Sequence, residues 1–164
     1  MAARFLPPLL AVALICASQA PAQEDDAGRV RGTLDLTVLA WSVRGTQTDS
    51  AWHDDGASTS IRFVAAPEEA DPSPRLTVSL SLTNDDEPEV TAAEVLLDRG
   101  DTELTASGKN LELTVTDFQR QGSDIAVTGN LSAALTKANM VVSSTEEPDA
   151  TLDVSFKATL PPAN

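Results

Sequence analysis

The residues best suited to chemistry form one short run, Trp52, His53, Asp54 and Asp55. His53 is the only histidine in the sequence, and an imidazole beside carboxylates is a common activator of a serine nucleophile. Adjacent residues in a turn rarely reach the geometry of a catalytic triad, and the chain has no Gly-x-Ser-x-Gly motif. We therefore expect these four residues to bind a ligand rather than to catalyse a reaction.

Trp52 is the most informative member of that run, because it lies among polar residues and outside any alternating apolar segment. An indole in a polar loop offers a large stacking surface to a ligand. A lone aromatic side chain can equally cover nearby apolar surface. The sequence therefore leaves two interpretations open for Trp52, a binding anchor or a lid folded over one end of the domain.

A second polar segment is rich in oxygen ligands, which hard cations such as Ca²⁺ prefer. Its residues are Asn84, Asp85, Asp86, Glu87 and Glu89. The segment lacks the glycine and the closing glutamate of an EF-hand, so we expect at most weak calcium binding, with a Kd of about 10⁻⁴ to 10⁻³ M. One histidine cannot build a zinc site, and no other cofactor is expected.

The composition restricts the classes of partner. Eleven Lys and Arg against 25 Asp and Glu give a formal charge of −14, which repels nucleic acid and anionic lipid. We expect a non-enzymatic binding or accessory module whose partner is a protein of the bacterial cell envelope or a small ligand. The alternatives are a small hydrolase that uses acidic residues or His53, and a structural protein of the envelope with weak calcium binding.

The N-terminal residues 1–22 have the features of a secretory signal peptide. Arg4 precedes an apolar stretch at 5–17, and Ala20 and Ala22 supply the small residues of a cleavage site. The apolar stretch is shorter than the roughly 20 residues that a membrane-spanning helix needs, so we expect no membrane span after processing. Cys16 follows Ile15, a poor context for lipidation. The predicted location is the periplasm or the extracellular space.

The remaining sequence has the alternation of apolar and polar residues that is typical of β-strands. The clearest segment is 75–83, in which every second residue from Leu76 to Leu82 is apolar. Further strands are predicted at 33–43, 60–65, 110–118, 124–136 and 151–160. Segment 33–43 is apolar on both faces, as in a central strand. Gly129 falls on the apolar face of its strand, which indicates a bulge or a close crossing.

Segment 89–98 fits a helix or a strand, and we favour a strand because every other element is one. Residues 23–31 are polar and are predicted to be a flexible lead-in. Short alternating strands separated by Gly, Asp and Asn turns favour a β-sandwich, with a small β-barrel as the alternative. The sequence thus predicts one antiparallel all-β domain at 32–164, with about seven to eight strands.

Overall fold

The computed structural model describes residues 26–45, 49–67, 74–138 and 147–163. These residues contain ten antiparallel strands and one 3-10 turn at Gly108–Asn110. The strands are β1 (Asp26–Leu34), β2 (Thr37–Arg44), β3 (Ala51–Asp54), β4 (Ser58–Pro67), β5 (Arg75–Thr83), β6 (Val90–Asp98), β7 (Glu103–Ser107), β8 (Leu111–Gln121), β9 (Asp124–Lys137) and β10 (Ala150–Leu160). The prediction of an antiparallel all-β fold is confirmed.

The strands form two layers. One layer has the order β2-β1-β10-β9-β8, and the other has the order β3-β4-β5-β6-β7. Short pairings join them at two corners, with three residue pairs between β2 and β4 and two between β7 and β9. By contrast, β9 and β10 share eleven pairs. The two layers are therefore parts of one hydrogen-bonded ring of eight strands, with β3 and β8 outside it.

The core lies between the layers and consists of every second side chain of the ring strands. In β5 these are the predicted Leu76, Val78, Leu80 and Leu82, all of which are buried. The inward residues of β9 and β10 also follow the predicted alternation. Phe63 of β4 and Phe156 of β10 meet across the core with ring centroids 5.3 Å apart, so the two layers share one hydrophobic cluster.

The prediction of a flexible lead-in at 23–31 is wrong for residues 26–31. They belong to β1, which pairs with β2 on one side and β10 on the other. The alternation was hidden because two inward positions are glycines, Gly28 and Gly32, while Val30 and Leu34 supply the buried side chains. Residues 23–25, the predicted signal peptide and Cys16 lie outside the described residues.

The single strand predicted at 33–43 is also wrong, because the chain reverses within it. Asp35 and Leu36 form a two-residue turn with φ angles of 49° and 67°, as in the tight turns of β-hairpins. Asp35 is a common turn residue, but Leu36 stands where a glycine usually follows, so the usual Asp-Gly or Asn-Gly signal is absent. Trp41 and Val43 are buried, but Val38 points to solvent.

The ambiguous segment 89–98 is strand β6, as predicted. The count of ten strands exceeds the predicted seven to eight because β1 and β3 were not recognised. Strand β3 has only four residues, Ala51–Asp54, which is too short to show an alternating pattern.

Gly129 has the close contact that its position predicts. It pairs directly with Phe156, and a Cβ atom on Gly129 would lie 2.6 Å from the Phe156 Cζ and 2.5 Å from the Thr114 carbonyl oxygen. The neighbouring strand β8 also has a bulge between Val115 and Asp117, which lie opposite Gly129 and Thr128 respectively. Absence of a side chain at Gly129 therefore leaves room for the central aromatic ring.

The facing of β5 can be tested with Leu80→Ala and Ser79→Ala. Leu80 is buried, so its truncation should lower the free energy of unfolding by about 2–5 kcal/mol. Ser79 points away from the core, and its truncation should have little effect. Urea denaturation measures both. Equal losses for the two variants would contradict the assigned facing.

The contact at Gly129 predicts that Gly129→Ala destabilises the domain by about 1–3 kcal/mol, because the new methyl group must displace a packed ring. Phe156→Leu in the same chain removes part of the clash. The double variant should therefore lose less stability than the two single variants added together, as a double-mutant cycle would measure. Strict additivity would show that the ring and Gly129 are not in contact.

Candidate functional site

Asp55 shapes the turn between β3 and β4. Its Oδ1 accepts hydrogen bonds from the backbone N–H of Ala57 (2.9 Å) and Ser58 (2.7 Å), and Gly56 has a φ of 86°. The backbone N–H groups of Ser58 and Ala57 lower the pKa of Asp55. The carboxylate of Asp55 is therefore engaged by its own turn, as aspartates in tight turns commonly are.

Asp54 connects three segments of the chain. Its Oδ1 accepts hydrogen bonds from the Gly56 N–H and the Asn84 Nδ2, both at 2.8 Å. Its Oδ2 accepts one from the Arg120 Nη2 of β8, also at 2.8 Å. The Gly56 N–H, Arg120 and Asn84 lower the pKa of Asp54 to about 2. Asp54 thus ties the β3–β4 turn to β8 and to the loop after β5.

Trp52 is half-buried and packs against the core cluster. Its Nε1 donates a hydrogen bond to the Ser123 carbonyl oxygen (3.2 Å), and the Arg120 guanidinium lies 5.0 Å from its ring centroid. The backbone of Trp52 also exchanges hydrogen bonds with Pro161 and Ala163, which follow β10. These contacts match the lid interpretation, in which Trp52 covers the end of the two layers.

An open groove of about 690 Å³ runs along the outer face of β3, β4, β5 and β6. Its volume is in the range of small-molecule sites, roughly 300–1,000 Å³. The outward residues of β4, β5 and β6 that form its floor have small side chains, namely Ser60, Ser79, Ser81 and Ala92. Of the four predicted binding residues, Trp52 and His53 line this groove, whereas Asp54 and Asp55 do not.

Two opposite charges flank the groove. Arg62 of β4 pairs with Ser79 of β5, which in turn pairs with Glu94 of β6. Because neighbouring strands are about 4.8 Å apart, the Cα atoms of Arg62 and Glu94 are separated by roughly 10 Å. Within the described part of the chain, neither of these two side chains makes an ion pair or a hydrogen bond. Both charges are therefore available to a ligand.

His53 lies opposite Ser60 in the β3–β4 register. In residues 26–45, 49–67, 74–138 and 147–163, the His53 side chain has no hydrogen bond to Ser60 or to a carboxylate. Successive strand residues point to opposite faces, which explains why Asp54 contacts Arg120 while His53 borders the groove. The sequence run Trp52 to Asp55 is thus divided between two surfaces.

The predicted calcium loop is exposed between β5 and β6. The Asn84 side chain accepts a hydrogen bond from the Thr59 hydroxyl (2.6 Å) and donates one to Asp54, so both its polar atoms have protein partners. Among the described residues, no group of three or more His, Cys, Asp or Glu side chains is placed to hold a metal ion. Calcium binding by Asp85, Asp86, Glu87 and Glu89 stays a prediction.

Arg62, Glu94 and Arg120 were not predicted from the sequence. Each lies far in the sequence from the residues beside it in the site, and only the pairing of strands brings them together. A partial signal was present: the outward positions of β4 and β5 carry Ser60, Ser79 and Ser81. Small residues at successive outward positions of adjacent strands leave a depression on a sheet surface.

No protein-family model matches this chain, and no curated protein or solved structure matches it either. In the portion that the structure describes, no helix has the length and the apolar character needed to cross a membrane.

The network around Asp54 predicts a pH-dependent contribution to stability. Asp54 has a pKa of about 2 in the folded chain and near 3.9 when unfolded. Its stabilising effect is therefore complete above about pH 5 and is lost as the pH falls toward 2. Asp54→Asn should lower the melting temperature at pH 7, and the difference from the parent chain should shrink progressively below pH 5.

Asp85→Asn is the matched control, because the Asp85 carboxylate is exposed and has no hydrogen bond or ion pair within the described residues. Its melting temperature should follow that of the parent chain across the same pH range. A constant difference for Asp54→Asn from pH 7 to pH 2 would show that ionisation of Asp54 does not matter.

Proposed function

We propose that the protein is an exported, non-catalytic binding module that holds a small polar ligand with both a positive and a negative group. The observation that carries this proposal is the placement of Arg62 and Glu94 on either side of Ser79. Two opposite charges without protein partners in the described residues, bordering a groove of ligand size, favour binding of a molecule that complements both.

The chemistry of the two side chains suggests the ligand class. The Arg62 guanidinium presents a planar fork of donors that matches a carboxylate. The Glu94 carboxylate accepts hydrogen bonds from an ammonium group. The hydroxyl groups of Ser79 and Ser81 can donate or accept between them. A free amino acid or a short peptide has both charged groups at a separation compatible with the roughly 10 Å between the two Cα atoms.

Binding is favoured over hydrolysis because the two acidic residues that follow His53 in the sequence are already engaged. Asp54 is held by Arg120, Asn84 and a backbone N–H. Asp55 is held by the turn that it forms. A serine nucleophile at Ser60 would need an oriented base, and no carboxylate orients His53 within the described residues.

The cellular location is part of the proposal. The signal peptide predicted at residues 1–22 supports export to the periplasm or beyond. An excess of acidic residues, with a formal charge of −14, supports solubility in that compartment. A processed chain would contain no cysteine, so its stability would depend on the core alone.

The proposal predicts that Arg62→Gln and Glu94→Gln each weaken ligand binding by about tenfold or more, since a hydrogen bond to a charged group contributes roughly 1.5–3 kcal/mol. The measurement is a ligand-observed NMR screen of amino acids and dipeptides, followed by calorimetric titration of the hits. Melting temperatures should be unchanged, because both side chains are exposed.

Arg75→Gln and Glu112→Gln are the matched controls, because they change the net charge equally and lie outside the groove. Equal weakening in test and control variants would argue against the groove as the site. The same NMR spectra also report turnover. If a hit is converted to a product by the parent chain but not by His53→Ala, the hydrolase is favoured over the binding module.

A further inference from the structure

Strand β6 is paired along one edge but only in part along the other. Strand β5 pairs with it between Val90 and Asp98, whereas β7 pairs with it only over residues 94–98. In the described part of the chain, no strand pairs with the other edge of residues 90–93. Backbone N–H and C=O groups without a strand partner therefore border the first four residues of β6, over about 13 Å.

The 3-10 turn at Gly108–Asn110 produces this free edge. Strand β7 ends at Ser107, opposite Glu94, and Gly108 then turns the chain with a φ of 55°. After the turn, the chain continues as β8, which pairs with β9 rather than with β6. The edge of β8 that faces β6 consequently has no strand partner either, as far as the structure describes the chain.

A cleft of about 550 Å³ lies between these two edges. Residues 90–93 border it on the side of β6, Gly108 borders it at the turn, and residues 111–113 border it on the side of β8. We call this space the edge cleft. The half-buried Val90, Leu111 and Leu113 line it and pack against the core cluster. The edge cleft therefore combines apolar side chains with two rows of main-chain groups.

The charge around the edge cleft is negative. Glu94 adds a carboxylate, and Lys109 a cation, at the end next to the 3-10 turn. The loop that leads into β6 and the first turn of β8 carry exposed carboxylates that have no hydrogen bond or ion pair among the described residues, namely Asp85, Asp86, Glu87, Glu89 and Glu112. Charge complementarity therefore favours a partner that carries Lys or Arg.

We propose that the edge cleft binds an extended peptide segment of another protein, in which apolar and basic residues alternate. Such a segment adds to a free sheet edge as a further strand, and its main-chain hydrogen bonds provide the affinity. Its successive side chains point to opposite faces. Apolar residues then contact Val90, Leu111 and Leu113, while basic residues face the surrounding carboxylates.

A second copy of this chain is a poor occupant, because two copies would bring the same carboxylates together. Short length and charged side chains are also the features by which proteins keep free sheet edges from pairing indiscriminately. The carboxylates around the edge cleft repel an acidic strand and attract a basic one. The charge therefore selects among strands.

The proposal does not depend on the ligand-binding function of the groove. Ala92 and Ala93 border both the groove and the edge cleft, but the function proposed for the groove depends on Arg62 and Glu94. A peptide that is capped at both ends lacks the terminal ammonium and carboxylate groups that the groove would recognise. Capped peptides therefore distinguish the two sites.

A synthetic heptapeptide of alternating valine and lysine, acetylated and amidated at its ends, tests the proposal. The chain as exported, its N-terminus determined by mass spectrometry, is titrated with the fluorescently labelled peptide. We expect saturable binding that becomes about tenfold weaker or more when glutamate replaces each lysine. Amide hydrogen exchange measured by NMR should slow at residues 90–93 or 111–113, because new main-chain hydrogen bonds form there.

N-methylation of the peptide separates strand addition from simple charge attraction. The main-chain groups of successive residues point to opposite edges of a strand. Methylation of every valine nitrogen therefore removes the donors of one edge, and methylation of every lysine nitrogen removes those of the other. At least one of these peptides should bind about tenfold more weakly or worse, through loss of two or three main-chain hydrogen bonds.

Single substitutions in the protein locate the site. Glu89→Gln and Glu112→Gln should each weaken binding about two- to fivefold. Glu103→Gln is the matched control, since Glu103 is an exposed residue at the start of β7 with the same change of charge. Arg62→Gln should also leave peptide binding unchanged.

Four results would each overturn the proposal. The first is absence of saturable binding by the alternating peptide, and the second is equal binding by both methylated peptides and the parent peptide. The third is the same affinity for Glu112→Gln and Glu103→Gln. The fourth is weaker peptide binding by Arg62→Gln, which would place the peptide in the groove.

Discussion

Phe63 and Phe156 meet at the centre of the core, and their contact depends on the missing side chain of Gly129. Each ring belongs to a different layer, so this contact spans the core that the other apolar side chains fill. Burial of alternate residues then directs the remaining side chains outward. The groove is a consequence, because most of the side chains that border it occupy outward positions that the core does not use.

Much of the fold could be predicted from periodicity, since β5, β9 and β10 bury nearly every second residue. The failures have specific physical causes. Gly28 and Gly32 occupy inward positions of β1 without apolar side chains to reveal them. The turn at Asp35 and Leu36 has a leucine at a positive φ angle, where a glycine would have marked the turn in the sequence. Hydrophobic periodicity detects buried apolar side chains. Gly28 and Gly32 have no side chain, and those of Asp35 and Leu36 are exposed.

The candidate site was predictable only in part. Trp52 and His53 border the groove. They could be singled out from the sequence because an indole and an imidazole are unusual in a polar segment. Arg62 and Glu94 were not recognised, since their relation depends on the pairing of three strands. Asp54 was wrongly assigned to the groove because it follows His53 in the sequence. Successive side chains of β3 point to opposite faces, so the Asp54 carboxylate contacts Arg120 instead.

The pairing of β1 with β10 connects the two ends of the described chain. Seven residue pairs join them, from Gly28 with Ala158 to Leu34 with Leu152. A polypeptide that emerges from the ribosome N-terminus first therefore presents β1 with one edge unpaired until β10 has been synthesised. Contacts between such distant segments make folding slow, so the ring of strands closes only after β10 has been synthesised.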